Sequence, residues 1–117
     1  MSAVAERISI AMEMVQGCER CLQSHIDAAR GLRIGEDEIE LARHGTSSGP
    51  RYAAMIAYGL QVYREPTIIS DEQIEALRSH GFSDREIADV DGLVAPNVLT
   101  GGFNLVAGLQ SDPGHVA

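Results

Sequence analysis

Only one run in this chain, Thr67-Ile68-Ile69, has the β-branched character of a strand. That scarcity constrains the fold more than any other feature. The remaining sequence carries helical periodicity, cut into helix-length pieces by glycine, proline and serine. A first helix is predicted after Ser2, with Val4, Ile8, Ala11 and Val15 as its apolar stripe and a break at Gln16-Gly17. A second is predicted from about Cys18 to Arg30, stopped by Gly31, and a third from about Glu36 to His44, stopped by Gly45. After the loop Gly45-Thr46-Ser47-Ser48-Gly49, Pro50 suits the first turn of a fourth helix, about Arg51 to Arg64, which Pro66 ends. Ser70 with Gln73 opens a fifth helix that stops near Gly81, and Ser83 with Glu86 opens a sixth. The sixth is expected to reach Ala95, break or kink at Pro96 and resume toward Leu109, with residues 111–117 as a tail.

At 117 residues the chain is one domain's worth, so the expectation is an all-α single compact helical domain of about six helices over residues 1–110. Its apolar fraction is 44% but its aromatic fraction only 4%, without Trp, so the core must come from Ala, Leu, Ile, Val and Met. The segments Ile39-Glu40-Leu41-Ala42-Arg43-His44-Gly45 and Ile74-Glu75-Ala76-Leu77-Arg78-Ser79-His80-Gly81 are alike, but two copies are too few for a solenoid. A net charge of −8 argues against nucleic acid and against an anionic membrane surface as partners. The charge-free run Gly92 to Ser111 is long enough to cross a bilayer. Its proline, asparagines and glycines favour a buried or subunit-facing helix instead. Glu6, Arg7 and Glu13 fall where the apolar core of a secretory signal would sit, so the expected compartment is the cytoplasm.

There, a pair of cysteines spaced C-x-x-C reads as redox chemistry or part of a metal site, because one bridge over so short a loop staples little. The pair is Cys18 and Cys21. At about 100° per residue, Cys18, Cys21, Leu22, His25, Ala28, Ala29 and Leu32 share one face of the second helix, opposite Glu19, Arg20, Gln23, Ser24, Asp27 and Arg30. Thiols three apart on a helix lie within the Cα window for a disulfide. A free thiol is only about 3% thiolate at pH 7. The helix N-terminus favours ionisation of Cys18, whereas His25 stacks over Cys21 as base or counter-charge. The residues leave open which thiol attacks.

Cys18-Glu19-Arg20-Cys21-Leu22-Gln23-Ser24-His25, with Ala29 following and Glu6 twelve residues before the first cysteine, resembles the C-x-x-C-x-x-x-H signature of alkylhydroperoxidase D-like proteins in the carboxymuconolactone decarboxylase superfamily. The likeness runs on through Arg30-Gly31-Leu32 and the helix near Arg51, and more loosely from Ser83 to Leu109. It implies an all-helical fold, a homo-oligomer (trimer or hexamer) and thiol-dependent reduction of a hydroperoxide substrate. It further implies that Cys21 is the peroxidatic thiol, Cys18 the resolving thiol, His25 the base and Glu6 the far end of a proton relay, with electrons returned by a dithiol or a lipoylated-protein donor. The peroxidase form carries a histidine just before the second cysteine, and here that position is Arg20. The decarboxylase branch lacks the paired cysteines.

Blander readings stand beside this one. The cysteines can be buried packing residues, or Cys18, Cys21 and His25 can hold zinc with Glu6 or a neighbouring subunit's histidine as fourth ligand. On its own helix Glu6 lies with Ser9 and Glu13, away from the apolar stripe, as solvated residues do; a hairpin at Gln16-Gly17 would still bring it level with His25. His44, His80 and His115 read as capping or solvated, Glu36-Asp37-Glu38 as a favourable first helical turn, and Tyr52, Tyr58 and Tyr63 as packing.

Overall fold

Residues 2–16 form the axis about which the other described residues fold. In the computed structural model, which describes residues 2–109, α1 (Ser2–Gln16) packs against four other helices: α2 (Glu19–Gly31), α3 (Glu36–Arg43), α4 (Pro50–Arg64) and α6 (Asp84–Ala107). The short α5 (Asp71–Ser79) lies against α4 and α6. The described residues hold six α-helices and no strand, and the β-branched run falls in and just after a 3-10 turn, Pro66–Ile68. The tail expected over residues 111–117, with His115, lies outside the described residues.

α1 is buried on two sides. Val4, Ile8, Ala11 and Met12 join Met55, Ile56 and Tyr58 of α4, Leu77, Phe82, and Ile87, Val90 and Val94 of α6 in the larger core. On its other side Ile10 meets Ile26, Ala29, Ile39 and Ala42 from α2 and α3. A helix enclosed in this way has little solvent face, and Arg7, Ser9 and Glu13 are buried as well. The expectation that Ser9 and Glu13 face water is therefore corrected. So is Val15, expected in the apolar stripe but 41% exposed. Arg7 is accommodated by Glu38 (3.3 Å), the Ala3 carbonyl (2.8 Å) and the Tyr52 ring face, 4.4 Å away.

Two helix starts follow their serines. Ser83 and Glu86 complete a reciprocal capping box, and Ser70 accepts from the Gln73 N–H. Two stops differ from expectation. Gly31 stays helical, and the left-handed residue after α2 is Arg33 (φ 62). α6 does not break at Pro96 but continues to Ala107. Proline removes one ladder bond and typically costs about 3 kcal/mol. Gly92, whose carbonyl is left over, is exposed to water, and side-chain bonds hold the helix on both sides of the proline: Asn97 Nδ2 donates within α6 to the Leu93 carbonyl (2.9 Å), and Gln16 Nε2 of α1 donates to the Val98 carbonyl (3.0 Å).

Candidate active site

Gly17, at φ +84, makes the turn that folds α2 back onto α1; a side chain there would be strained. The next residue is Cys18, extended (φ −87, ψ 99) at the N-cap of α2. Its sulfur takes the part usually played by a serine oxygen, accepting from the Cys21 N–H at 3.3 Å. Both cysteines are free and buried. Asn104 of α6 donates from Nδ2 to Cys21 Sγ (3.2 Å) and, more weakly, to Cys18 Sγ (3.8 Å).

The buried stripe of α2 is rotated from the expected one. Cys21, Gln23, Ile26 and Ala29 are buried, while Ala28 and Leu32 are exposed. The cause is α3, whose Ile39 and Ala42 cover Ile26 and Ala29. His25 is consequently at the rim, not in the interior, and its Nδ1 lies 2.9 Å from Glu6 Oε2, both side chains about a quarter exposed (27% and 23%). The antiparallel α1–α2 hairpin thus brings together Glu6 and His25, and separately Cys18 and Cys21. Burial alone would lower the proton affinity of His25, but the hydrogen bond and charge of Glu6, helped by Glu13, raise it overall.

Glu13 is the residue the sequence reading missed. It is 1% exposed, no nitrogen or oxygen donor among the described residues reaches either carboxylate oxygen, and one oxygen lies within 4.8 Å of both sulfurs, with the Cys21 thiol as its weak donor. Burial pushes its pKa up. Burial, the hydrogen bond with Cys18 and the facing Glu13 carboxylate push the Cys21 thiol up to about 12, against the pull of Asn104. The surroundings of Cys21 therefore hold its proton, the reverse of the activation expected from His25. The zinc set weighed from sequence is not gathered either. Among the described residues the metal-ligating cluster is Glu13, Cys18 and Cys21, with His25 turned to Glu6.

A cleft of about 480 Å³ opens beside Cys21 and His25, lined by these two and Arg20 from α2 and by Pro96, Asn97 and Asn104 from α6 among others. Asn97 also donates to Ser9 Oγ (3.2 Å). Two asparagines at i and i+7 in a charge-free run share a helix face, and that spacing was the available signal for them. Elsewhere, His44 caps α3 through Nδ1 on the Glu40 carbonyl (2.9 Å), and Tyr58 is buried with its hydroxyl on Asp91 (2.9 Å).

No protein-family model matches the chain, and no curated protein does. Solved structures do. A protein described as an uncharacterized peroxidase-related protein from Silicibacter sp. TM1040 superposes with a TM-score of 0.87 at 22% identity, over 98% of this chain and 62% of its own. An alkylhydroperoxidase AhpD core, an uncharacterized peroxidase-related protein from Ralstonia eutropha JMP134, gives a TM-score of 0.88 at 22% identity, over 97% of this chain and 61% of its own. The chain thus spans about three fifths of the length of the structures it matches. At this identity the likeness concerns architecture, and it shows that the chain has the all-helical alkylhydroperoxidase D-like fold.

Proposed function

We propose that the protein is a thiol-dependent peroxidase that reduces hydroperoxides by cycling Cys18 and Cys21 between dithiol and disulfide. The observation that carries this reading is the sharing of one cleft by Cys21 and by His25, itself bonded to Glu6 at 2.9 Å, with the Cys18 sulfur 3.3 Å from the Cys21 backbone nitrogen. The fold it has in common with peroxidase-related proteins supports it.

In this mechanism the Cys21 sulfur attacks a peroxide oxygen. An S–O bond forms, the O–O bond breaks, and the alcohol leaves with a proton. His25, steadied by Glu6, takes the thiol proton in its neutral form and returns it to the leaving oxygen, which is general acid–base work. The Cys18 sulfur then displaces hydroxide from the sulfenic acid, giving disulfide and water. One hydroperoxide and two thiols become one alcohol, one water and one disulfide. A dithiol, free or carried as a lipoyl group on a protein, restores the pair by exchange.

The test is peroxide consumption by the purified, reduced protein, with and without a dithiol. Without donor, about one equivalent of peroxide should be consumed and mass spectrometry should show an intramolecular Cys18–Cys21 bridge. With donor, consumption should turn over. Cys21→Ser should abolish it. Undiminished consumption by Cys21→Ser, or two over-oxidised and unlinked cysteines, would overturn the reading.

A further inference from the structure

We propose that Glu13, Cys18 and Cys21 form a binding site for a thiophilic divalent cation of the zinc class, open to the metal only while the two cysteines are reduced. The three side chains come from α1 and the start of α2, are all buried, and place one ligand atom each within 4.8 Å of the others. Zinc–sulfur bonds of about 2.3 Å and zinc–oxygen bonds of about 2.0–2.2 Å in a tetrahedron need ligand atoms somewhat closer than that. Side-chain rotation supplies the difference.

The observation that points to a ligand is the Glu13 carboxylate. It is 1% exposed and faces two sulfurs, and no nitrogen or oxygen donor reaches either of its oxygens; among the described residues the Cys21 thiol, a weak donor, is the only group that offers it a proton. A buried carboxylate with no more than a weak thiol donor is unfavourable unless a proton or a cation satisfies it. The other two ligands have what metal-bound sulfur usually has around it, namely N–H donors. Cys18 Sγ accepts from the Cys21 backbone N–H at 3.3 Å, and Asn104 Nδ2 donates to Cys21 Sγ at 3.2 Å. Both contacts favour sulfur as thiolate.

The charge balance fits the same assignment. Two thiolates and a carboxylate carry three negative charges, and a dication leaves one. Binding releases the two thiol protons, and a third where Glu13 is protonated, so no other reactant is needed. Three protein ligands leave the fourth tetrahedral position to water. A small cleft of about 250 Å³ bordered by Glu13, Gly17 and Cys18 supplies the approach. His25 takes no part, because neither of its ring nitrogens lies within 4.8 Å of all three ligand atoms.

This inference stands apart from the peroxidase reading, although the two would compete. The cation and the disulfide use the same sulfurs, so bound metal would protect the pair from oxidation and oxidation would expel the metal. The experiment uses the whole chain, reduced and stripped of metal, titrated with zinc against a chromophoric chelator and, in parallel, with cobalt. Expected are one zinc per chain, a sulfur-to-cobalt charge-transfer band, and slowed alkylation of both cysteines. The disulfide form should bind no metal. Glu13→Gln should weaken zinc at least about tenfold, the scale on which lost metal-site contacts are felt, and His25→Ala should change it less than about twofold. Cadmium NMR of the unmodified protein gives a readout that needs no variant, since two sulfurs and oxygen shift the resonance differently from two sulfurs and nitrogen. Failure to retain zinc, unchanged affinity in Glu13→Gln, or a sulfur–nitrogen cadmium signal would overturn the site. Peroxide consumption by the metal-free protein is measured separately, so either idea can fail alone.

Discussion

Cys21 is held as a thiol by its neighbours, and this has a measurable consequence. With its pKa pushed up to about 12 by burial, Cys18 and Glu13, the thiolate fraction is minute at neutral pH and grows about tenfold for each pH unit. Alkylation of Cys21 in the native protein, followed by peptide mass, should therefore climb steadily from pH 7 to 10. A plateau near pH 7 would mean a low-pKa thiolate and contradict these surroundings. The attacking thiol can be identified by variants: Cys18→Ser should leave a trappable sulfenic acid at Cys21, whereas labelling of Cys18 in Cys21→Ser would reverse the roles. A second residue-scale prediction concerns Glu38, which accepts from Ser47 Oγ (2.6 Å), from the Ser48 hydroxyl and N–H, and from Arg7. The serine hydroxyls lead in holding its pKa down at about 2, against about 4.3 for an unfolded glutamate. Its contribution to stability is thus complete above about pH 4.3 and disappears as pH falls through about 2. Glu38→Gln should cost about 1–2 kcal/mol in denaturant melts at pH 7, and the difference should vanish in strong acid. Spacing in the sequence pointed to Cys18, Cys21, His25 and Glu6 because they are local or anchored to a motif. Glu13 and Asn104 were not legible as neighbours of the sulfurs: only tertiary packing brings α1 and α6 to the same two atoms.

Among the elements, α1 shows why a helical wheel can fail. Its apolar stripe was readable, but its polar residues were assigned to water on the assumption that a helix has one covered side. Contacts with α2, α3, α4 and α6 leave no such free side. Scarcity of charge was the available clue: Glu6, Arg7 and Glu13 are the only ionisable side chains between Ser2 and Gln16. Helix starts were legible because caps are local chemistry. The passage of α6 through Pro96 was not, because Gln16 and Ser9 of α1 and Cys21 of α2 hold it from elsewhere, through Val98, Asn97 and Asn104. Close approach of α4 to α1 yields a paired test. A Cβ added at Gly59 would meet Ile8 Cγ2 at 2.8 Å in the core, whereas one at exposed Gly92 meets nothing within 4 Å. Gly59→Ala should lose about 1–2 kcal/mol, overpacking outweighing the helix-propensity gain. Gly92→Ala should be neutral or stabilise by up to about 1 kcal/mol. Equal stability changes in the two variants would refute the close packing at Gly59.

For the whole molecule, the last turns of α6 present two contrasting faces. Asn97, Gly101 and Asn104, at i, i+4 and i+7, run along the inner side: Asn97 and Gly101 are buried, and Asn104 reaches the sulfurs. Leu99, Phe103 and Val106 have the same spacing on the other side and are 73%, 65% and 92% exposed. No described helix is long and apolar enough to cross a membrane. An apolar stripe of this kind is rarely left in water, and the net charge of −8 is carried elsewhere, since the run from Gly92 to Ser111 holds no charged residue. Pairing between copies of the chain would cover the stripe without bringing like charges together there. The expected assembly is a homo-oligomer, so light scattering at micromolar concentration should give a multiple of 12.6 kDa, with the family resemblance implying three or six copies. Replacing Leu99 and Val106 together by glutamate should drive the mass down to that of one chain. The repulsion falls on one exposed stripe, so helical content should be retained. A mass of 12.6 kDa for the unmodified chain would remove the basis for this assembly, and an oligomer that survives both glutamates would locate its interface on another face.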